Sequence, residues 1–218
     1  MSNPRLRRKN LDEKFFAKNR KSVSKRLFLP KQASRKTIRG LEGGYQTIIT
    51  PLIRKYAAQF RGKTLSVIDR IVRDMATFER VVVDKPALDK YYAKRTAEDV
   101  IQTRKVVIKK PVQGCVDYAA ALCSVLRAKG IPAYFKRDIR THSTTLFKLG
   151  NKWFRADPTP ERVAEDFHLV EVNINREIKD SVAIGVDAWD IGLTGLDRFN
   201  LEQHRTATRN AIKEDRLV

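Results

Sequence analysis

The stretch Gln113-Gly114-Cys115-Val116-Asp117-Tyr118-Ala119-Ala120-Ala121-Leu122-Cys123 decides how the chain is read. From Cys115 to Lys129 the positions Cys115, Ala119, Leu122, Cys123 and Leu126 recur at helical spacing, which predicts a helix with one stripe facing a core. The run of alanines favours helix, and Gly130 followed by Pro132 supplies the stop. Val112-Gln113-Gly114 reads as the turn into that helix, with Gly114 permitting close backbone approach. Cys115 then falls in the first turn, where free N–H groups and the helix dipole favour an anion. Such a position lowers a thiol pKa from about 8.5 towards neutrality, and the same N–H groups suit an oxyanion. Cys123, mid-helix on the apolar stripe, reads as a buried structural thiol.

Ile131 to Arg137 reads as a strand leaving the helix. His142 to Leu149 and Lys152 to Asp157 read as two more, joined by Gly150-Asn151. Glycine first in a two-residue connection is a type II′ hairpin signal. That turn opposes Leu149 to Lys152 and, by extension, Thr144 to Asp157. His142 and Asp157 thereby become diagonal neighbours, roughly 7–8 Å apart and within reach of an imidazole–carboxylate hydrogen bond. One residue more or fewer in the loop would put them on opposite faces. Singly, His142 is a polar strand end and Asp157-Pro158 a turn. Together with a helix N-terminal thiol, they form the layout of a thiol nucleophile site.

These residues resemble a family. Cys115 with Asp117-Tyr118-Ala119, the stretch from Leu126 to Ala133, His142, and Trp153 followed by Asp157-Pro158-Thr159 look like the transglutaminase-like superfamily of papain-related thiol enzymes, in its prokaryotic form. Arg95 to Val100 is similar to the helix preceding the nucleophile loop, so the resemblance covers roughly residues 65 to 160. It implies an α+β fold with a papain/transglutaminase-like core, in which N-terminal helices precede a nucleophile helix packed on an antiparallel sheet. It also implies Cys115 as nucleophile, His142 as general base and Asp157 as the residue orienting His142. Where the family often carries His-Ala-Trp, this chain has His142-Ser143-Thr144. Gln113 is a candidate oxyanion donor, at a shorter spacing than the glutamine of papain-like enzymes. Trp153 is a substrate-contact candidate, although Trp153 and Trp189 both also read as core or cleft-wall residues. Asp187 to Gly192 is similar to a C-terminal segment of some prokaryotic members.

Along the chain, Gln46 to Phe60 and Leu65 to Phe78 have helical spacing. Ala93 to Arg104 predicts a third helix, followed by β-prone Val106-Val107-Ile108. After the hairpin, Glu161 to Phe167 reads as a helical turn, His168 to Val172 as a strand, and Trp189-Asp190 as the start of a last helical region. Helices followed by antiparallel strands independently imply α+β.

The 218 residues suffice for one sizeable core, divided here into a basic arm over 1–40 and a domain over 41–218. Net charge is +20, and between Arg5 and Arg39 the many basic residues face only Asp12 and Glu13. An arm of this kind suits nucleic acid or another polyanion, interrupted here by Phe15, Phe16, Leu27, Phe28 and Leu29. Arg104-Lys105 and Lys109-Lys110 are placed to steer an acidic substrate. The cysteines lack metal or disulfide-framework spacing, which suggests a reducing compartment. No apolar run approaches a membrane span and the charged N-terminus lacks a signal-peptide core, so a cytoplasmic protein is expected. His142, His168 and His204 match no zinc pattern, and neither metal nor cofactor is expected. Asp117 reads as a first-turn acid favoured by the dipole.

The expected function is cysteine-dependent acyl transfer on amide or peptide bonds of a protein or peptide, through a thioester at Cys115. Without appended β-sandwich domains, hydrolysis is preferred over protein cross-linking. The alternative is a catalytically idle fold used for binding, with the basic arm holding nucleic acid.

Overall fold

The computed structural model describes residues 41, 43–91, 94–108, 114–138, 142–191, 193–195 and 198–199. The basic arm over 1–40, Lys109, Lys110, Gln113 and His204 lie outside the described residues.

Helix α1 (Pro51–Ala58) starts where Thr50 caps it, with Pro51 at the first position and the Thr50 Oγ1 accepting the Ile53 N–H at 3.3 Å. The helix predicted from Gln46 therefore begins later. Gln46 is committed elsewhere: its N–H donates to Asp187 Oδ2 at 2.8 Å and its carbonyl accepts the Ala97 N–H at 2.7 Å. Helix α2 (Leu65–Ala76) buries Val67, Ile68, Ile71, Val72 and Met75, the face its spacing predicts. Strand β1 (Glu79–Val82) and helix α3 (Lys85–Tyr91) follow, neither of them anticipated. Helix α4 (Ala97–Thr103) starts later than the predicted Ala93, because Thr96 and Asp99 form a reciprocal capping box. Strand β2 (Lys105–Ile108) then pairs in parallel with β1.

Helix α5 (Cys115–Ala128) is central to the described domain. Every residue from Cys115 to Arg127 is buried, so the predicted stripe extends to the whole circumference. The reason is its surroundings: α1, α2, α4 and β2 on some sides, strands β3 (Ala133–Asp138) and β4 (Ser143–Leu149) on another. Several of its polar members are engaged, although the buried Tyr118 hydroxyl has no hydrogen-bond partner among the described residues. Ser124 Oγ donates to the Thr47 carbonyl at 3.2 Å, and Arg127 donates to the carbonyls of Ala133 and Val186 and to Thr47 Oγ1. Asp117 meets Arg95 Nη1 at 2.6 Å and the Val107 N–H at 3.1 Å. The expected first-turn acid is thus a buried ion pair tying α5 to α4's approach and to β2.

The main sheet is antiparallel, ordered β6-β5-β4-β3-β7, with β5 (Lys152–Ala156), β6 (Leu169–Val172) and β7 (Ser181–Gly185). The predicted hairpin is present, with Gly150 at φ 59° and the register Leu149↔Lys152 to Thr145↔Ala156. Helix α6 (Pro160–Ala164) matches the predicted helical turn. Helix α7 (Ile174–Asp180) and the edge strand β7 were not anticipated. Phe147, Phe154 and Ala156 face α5, while Tyr134, Leu146, Trp153 and Ile184 form a second cluster on the opposite face, closed by Ile174 and Ile178 of α7. The helix predicted from Trp189 is instead a turn. Asp187 Oδ1 accepts the Asp190 N–H at 2.8 Å, its Oδ2 holds Gln46, and a short hairpin of β8 (Leu193–Gly195) and β9 (Arg198–Phe199) follows. Among the described residues no helix is long and apolar enough to cross a membrane.

Arg95 and Asp117 are each only 7% exposed, so removing one partner leaves the other charge buried. Asp117→Ala should therefore cost about 3–5 kcal/mol in urea unfolding. Combining Arg95→Met with Asp117→Leu should recover much of the loss. Equal destabilisation by the double variant would show that the two residues do not act as a pair.

Candidate active site

Gly114 sets the position of the thiol. It occupies the N-cap of α5 in the left-handed conformation, φ 72°, and a Cβ there would lie 3.1 Å from Ile108 Cγ2 and 3.2 Å from the Val107 carbonyl. Glycine thus lets the chain turn against β2 and deliver Cys115 as the first residue of α5. The N–H groups of that turn have no partner within the helix, and Tyr118 N–H to the Gly114 carbonyl, at 3.2 Å, is the first helical bond.

His142 stands immediately before β4, its backbone fixed by Asp138 at the end of β3. The His142 N–H donates to Asp138 Oδ1 at 2.9 Å, and the Asp138 N–H donates to the His142 carbonyl at 3.0 Å. Asp157 lies one residue beyond β5. Its N–H donates to the His168 carbonyl at 2.8 Å, its Oδ1 accepts the Thr159 N–H at 3.1 Å, and its Oδ2 meets His142 Nε2 at 2.5 Å. The Asx turn over Asp157-Pro158-Thr159 thereby points one carboxylate oxygen at the imidazole. With Nε2 engaged, Nδ1 is the ring nitrogen left for Cys115, and the two side chains shift each other's proton affinity.

The electrostatics of the two thiols diverge. Burial acts to raise the Cys115 thiol, but the hydrogen bond and charge of His142, the charge of Arg137 and the Ser143 N–H outweigh it, and its pKa falls below the ordinary value. Burial acts to lower His142, yet Asp157 and Cys115 push it up to about 10. Both shifts act in favour of an imidazolium–thiolate pair backed by a carboxylate. Cys123 is fully buried against Thr145 Oγ1 at 3.6 Å, and burial pushes its thiol up.

The structure thus brings together Cys115, His142 and Asp157. It does not bring Trp153 to them: that ring lies in the cluster on the sheet face turned away from α5, 6.0 Å from Tyr134. Gln113 is outside the described residues. Arg104 and Lys105, expected to steer substrate, are already paired. Arg104 meets Asp74 and stands over the Phe78 ring, while Lys105 meets Glu79 at 2.7 Å. Sequence reading missed Asp138, Ser143 and Arg137, whose roles come from strand pairing. The Asp157–Thr159 turn was the one supporting contact with a local sequence signal.

No protein-family model and no curated protein sequence matches this chain. Among solved structures, the fold is similar to that of a candidate cysteine protease from Cytophaga hutchinsonii, with a TM-score of 0.50 and 20% identity over 79% of this chain and 56% of that one. The chain spans little more than half the length of that neighbour. At this identity the likeness shows the fold, an α+β architecture of papain-like type with an antiparallel sheet.

At neutral pH, iodoacetamide should label Cys115 far faster than Cys123, because only Cys115 has its thiolate stabilised. The Cys115 rate should rise at a pH below that of an ordinary thiol, about 8.5. Peptide mapping of the labelled protein checks both points. Equally slow labelling of the two cysteines would contradict this electrostatic reading.

Proposed function

We propose that the chain is a cysteine-dependent acyl-transfer enzyme acting on amide or peptide bonds through a thioester at Cys115. The observation that carries this is Cys115 at a helix N-terminus, acting electrostatically on a His142 whose Nε2 meets Asp157 Oδ2 at 2.5 Å. In this reading the Cys115 thiolate attacks the carbonyl carbon, and the negative charge moves to its oxygen beside the free N–H groups of the first turn of α5. The His142 imidazolium gives its proton to the leaving amine as the C–N bond breaks, leaving a thioester and a neutral imidazole. His142 then takes a proton from the incoming water or amine. Asp157 keeps the ring in one orientation and stabilises its charged form. Hydrolysis is preferred over amine transfer, so the product is a carboxylic acid. The structural neighbour's description as a candidate cysteine protease points the same way.

Incubating the protein with a glutamine-containing peptide and a labelled primary amine separates the outcomes. Release of free acid without amine incorporation is expected, and incorporation without hydrolysis would overturn the preference. Cys115→Ala should abolish turnover. Asp157→Asn should lower kcat/KM by on the order of 10²–10⁴ while leaving the fold intact. Activity should also decline as pH rises through about 10, where the imidazolium that protonates the leaving group is lost. Adding Asp157→Asn to His142→Ala should cost little more than His142→Ala alone, since the two act as a unit. Losses that simply multiply would mean Asp157 does not act through His142.

A further inference from the structure

Arg137 is a buried guanidinium that the triad does not use. Phe135 and Arg137 alternate with Tyr134 and Lys136 along β3, which turns Arg137 to the face covered by α5. Arg137 is directly opposite Ser143 on β4 and Ala183 on β7. The β3–β7 register shifts between Arg137 and Asp138, where β7 carries one extra residue against β3. Arg137 Nη1 donates to Ser143 Oγ at 2.9 Å, and the Arg137 charge and the Ser143 N–H both favour the thiolate of Cys115. Among the described residues Arg137 forms no ion pair with a carboxylate, although it is only 9% exposed. A buried guanidinium requires a nearby anion, and the thiolate of Cys115 is the group its field acts on.

We propose that Arg137 is a positioning residue of the site: held by Ser143, it fixes the start of β4 against the sulfur and serves as a second, non-titrating counter-charge to Cys115 beside His142. The inference rests on the reading of Cys115 as nucleophile. Other charged groups around the thiol do not replace it. Asp157 acts on the far side of His142, Asp117 on α5 is neutralised by Arg95, and Asp138 is bound to the His142 backbone. His142 loses its charge as pH rises, whereas a guanidinium keeps its own throughout. The Ser143 side chain that holds Arg137 stands where the family resemblance has alanine, so this arrangement belongs to this chain's own sequence.

The test is the pH dependence of iodoacetamide alkylation at Cys115, which needs no substrate and so reads the thiol separately from acyl transfer. Arg137→Met should move the Cys115 inflection to higher pH and slow labelling at pH 6 by on the order of tenfold. Arg137→Lys should restore most of that loss, because it returns the charge. Ser143→Ala, which releases the guanidinium but keeps the N–H, should shift the profile the same way by less. In a His142→Ala background the inflection should lie at higher pH than in the unaltered protein and rise further when Arg137→Met is added. Native protection of Cys123 reports that each variant is folded. Profiles unchanged by Arg137→Met, or shifted equally by Arg137→Lys, would overturn the proposal while leaving the nucleophile reading intact. An ordinary-thiol profile in the unaltered protein would overturn both.

Discussion

The close seating of α5 on β4 is the constraint from which the rest of the site follows. Ala119, Ala120 and Ala121 keep the helix surface small, and Thr145 Oγ1 on β4 donates directly to the Ala119 carbonyl at 3.1 Å. The Cys123 thiol meets the same hydroxyl one turn on. At the other end, Gly114 lies against β2, where a Cβ would crowd Ile108 and the Val107 carbonyl. A helix held this tightly at several points has little freedom to slide. Its first residue is therefore fixed beside the start of β4, and Cys115 meets His142 because of backbone packing more than any side-chain search.

Burial then sets the chemistry. Removing charges from water is costly, and several ionic groups have an opposite partner: Arg95 with Asp117, Lys136 with Glu177, His142 with Asp157. Breaking any of these would leave a charge stranded, which ties local geometry to global stability. At Cys115 the same logic yields reactivity. Desolvation opposes the thiolate, and the imidazolium, then Arg137 and the Ser143 N–H, act together against it. In the proposed reaction this thiolate would be the group that attacks the carbonyl carbon.

The parts of this arrangement that were legible in the sequence were the local ones. Helix α5 declared itself through spacing and its Gly114 and Gly130 boundaries, and Gly150-Asn151 fixed the β4–β5 register that brings Asp157 to His142. Helix starts were misplaced at Gln46 and Ala93 because the caps at Thr50 and Thr96 override apolar periodicity. Strand β1 and the α7–β7 unit were invisible, since the first is short without alternation and the second depends on pairing with β3. Trp153 was brought forward as a substrate contact, but its place in the Tyr134–Leu146–Ile184 cluster depends on which sheet face α5 covers. Arg137 escaped for the same reason: nothing near it in sequence says that it faces a thiol.

The central claim is that Cys115 and His142 rest as a thiolate–imidazolium pair. Nitrogen NMR of the histidine rings across pH reads this directly. The account predicts that the His142 ring keeps both protons through neutral pH and loses one near pH 10, and that Cys115→Ala moves this transition to lower pH. A His142 ring that titrates near pH 6.5, with or without the Cys115 sulfur, would contradict it.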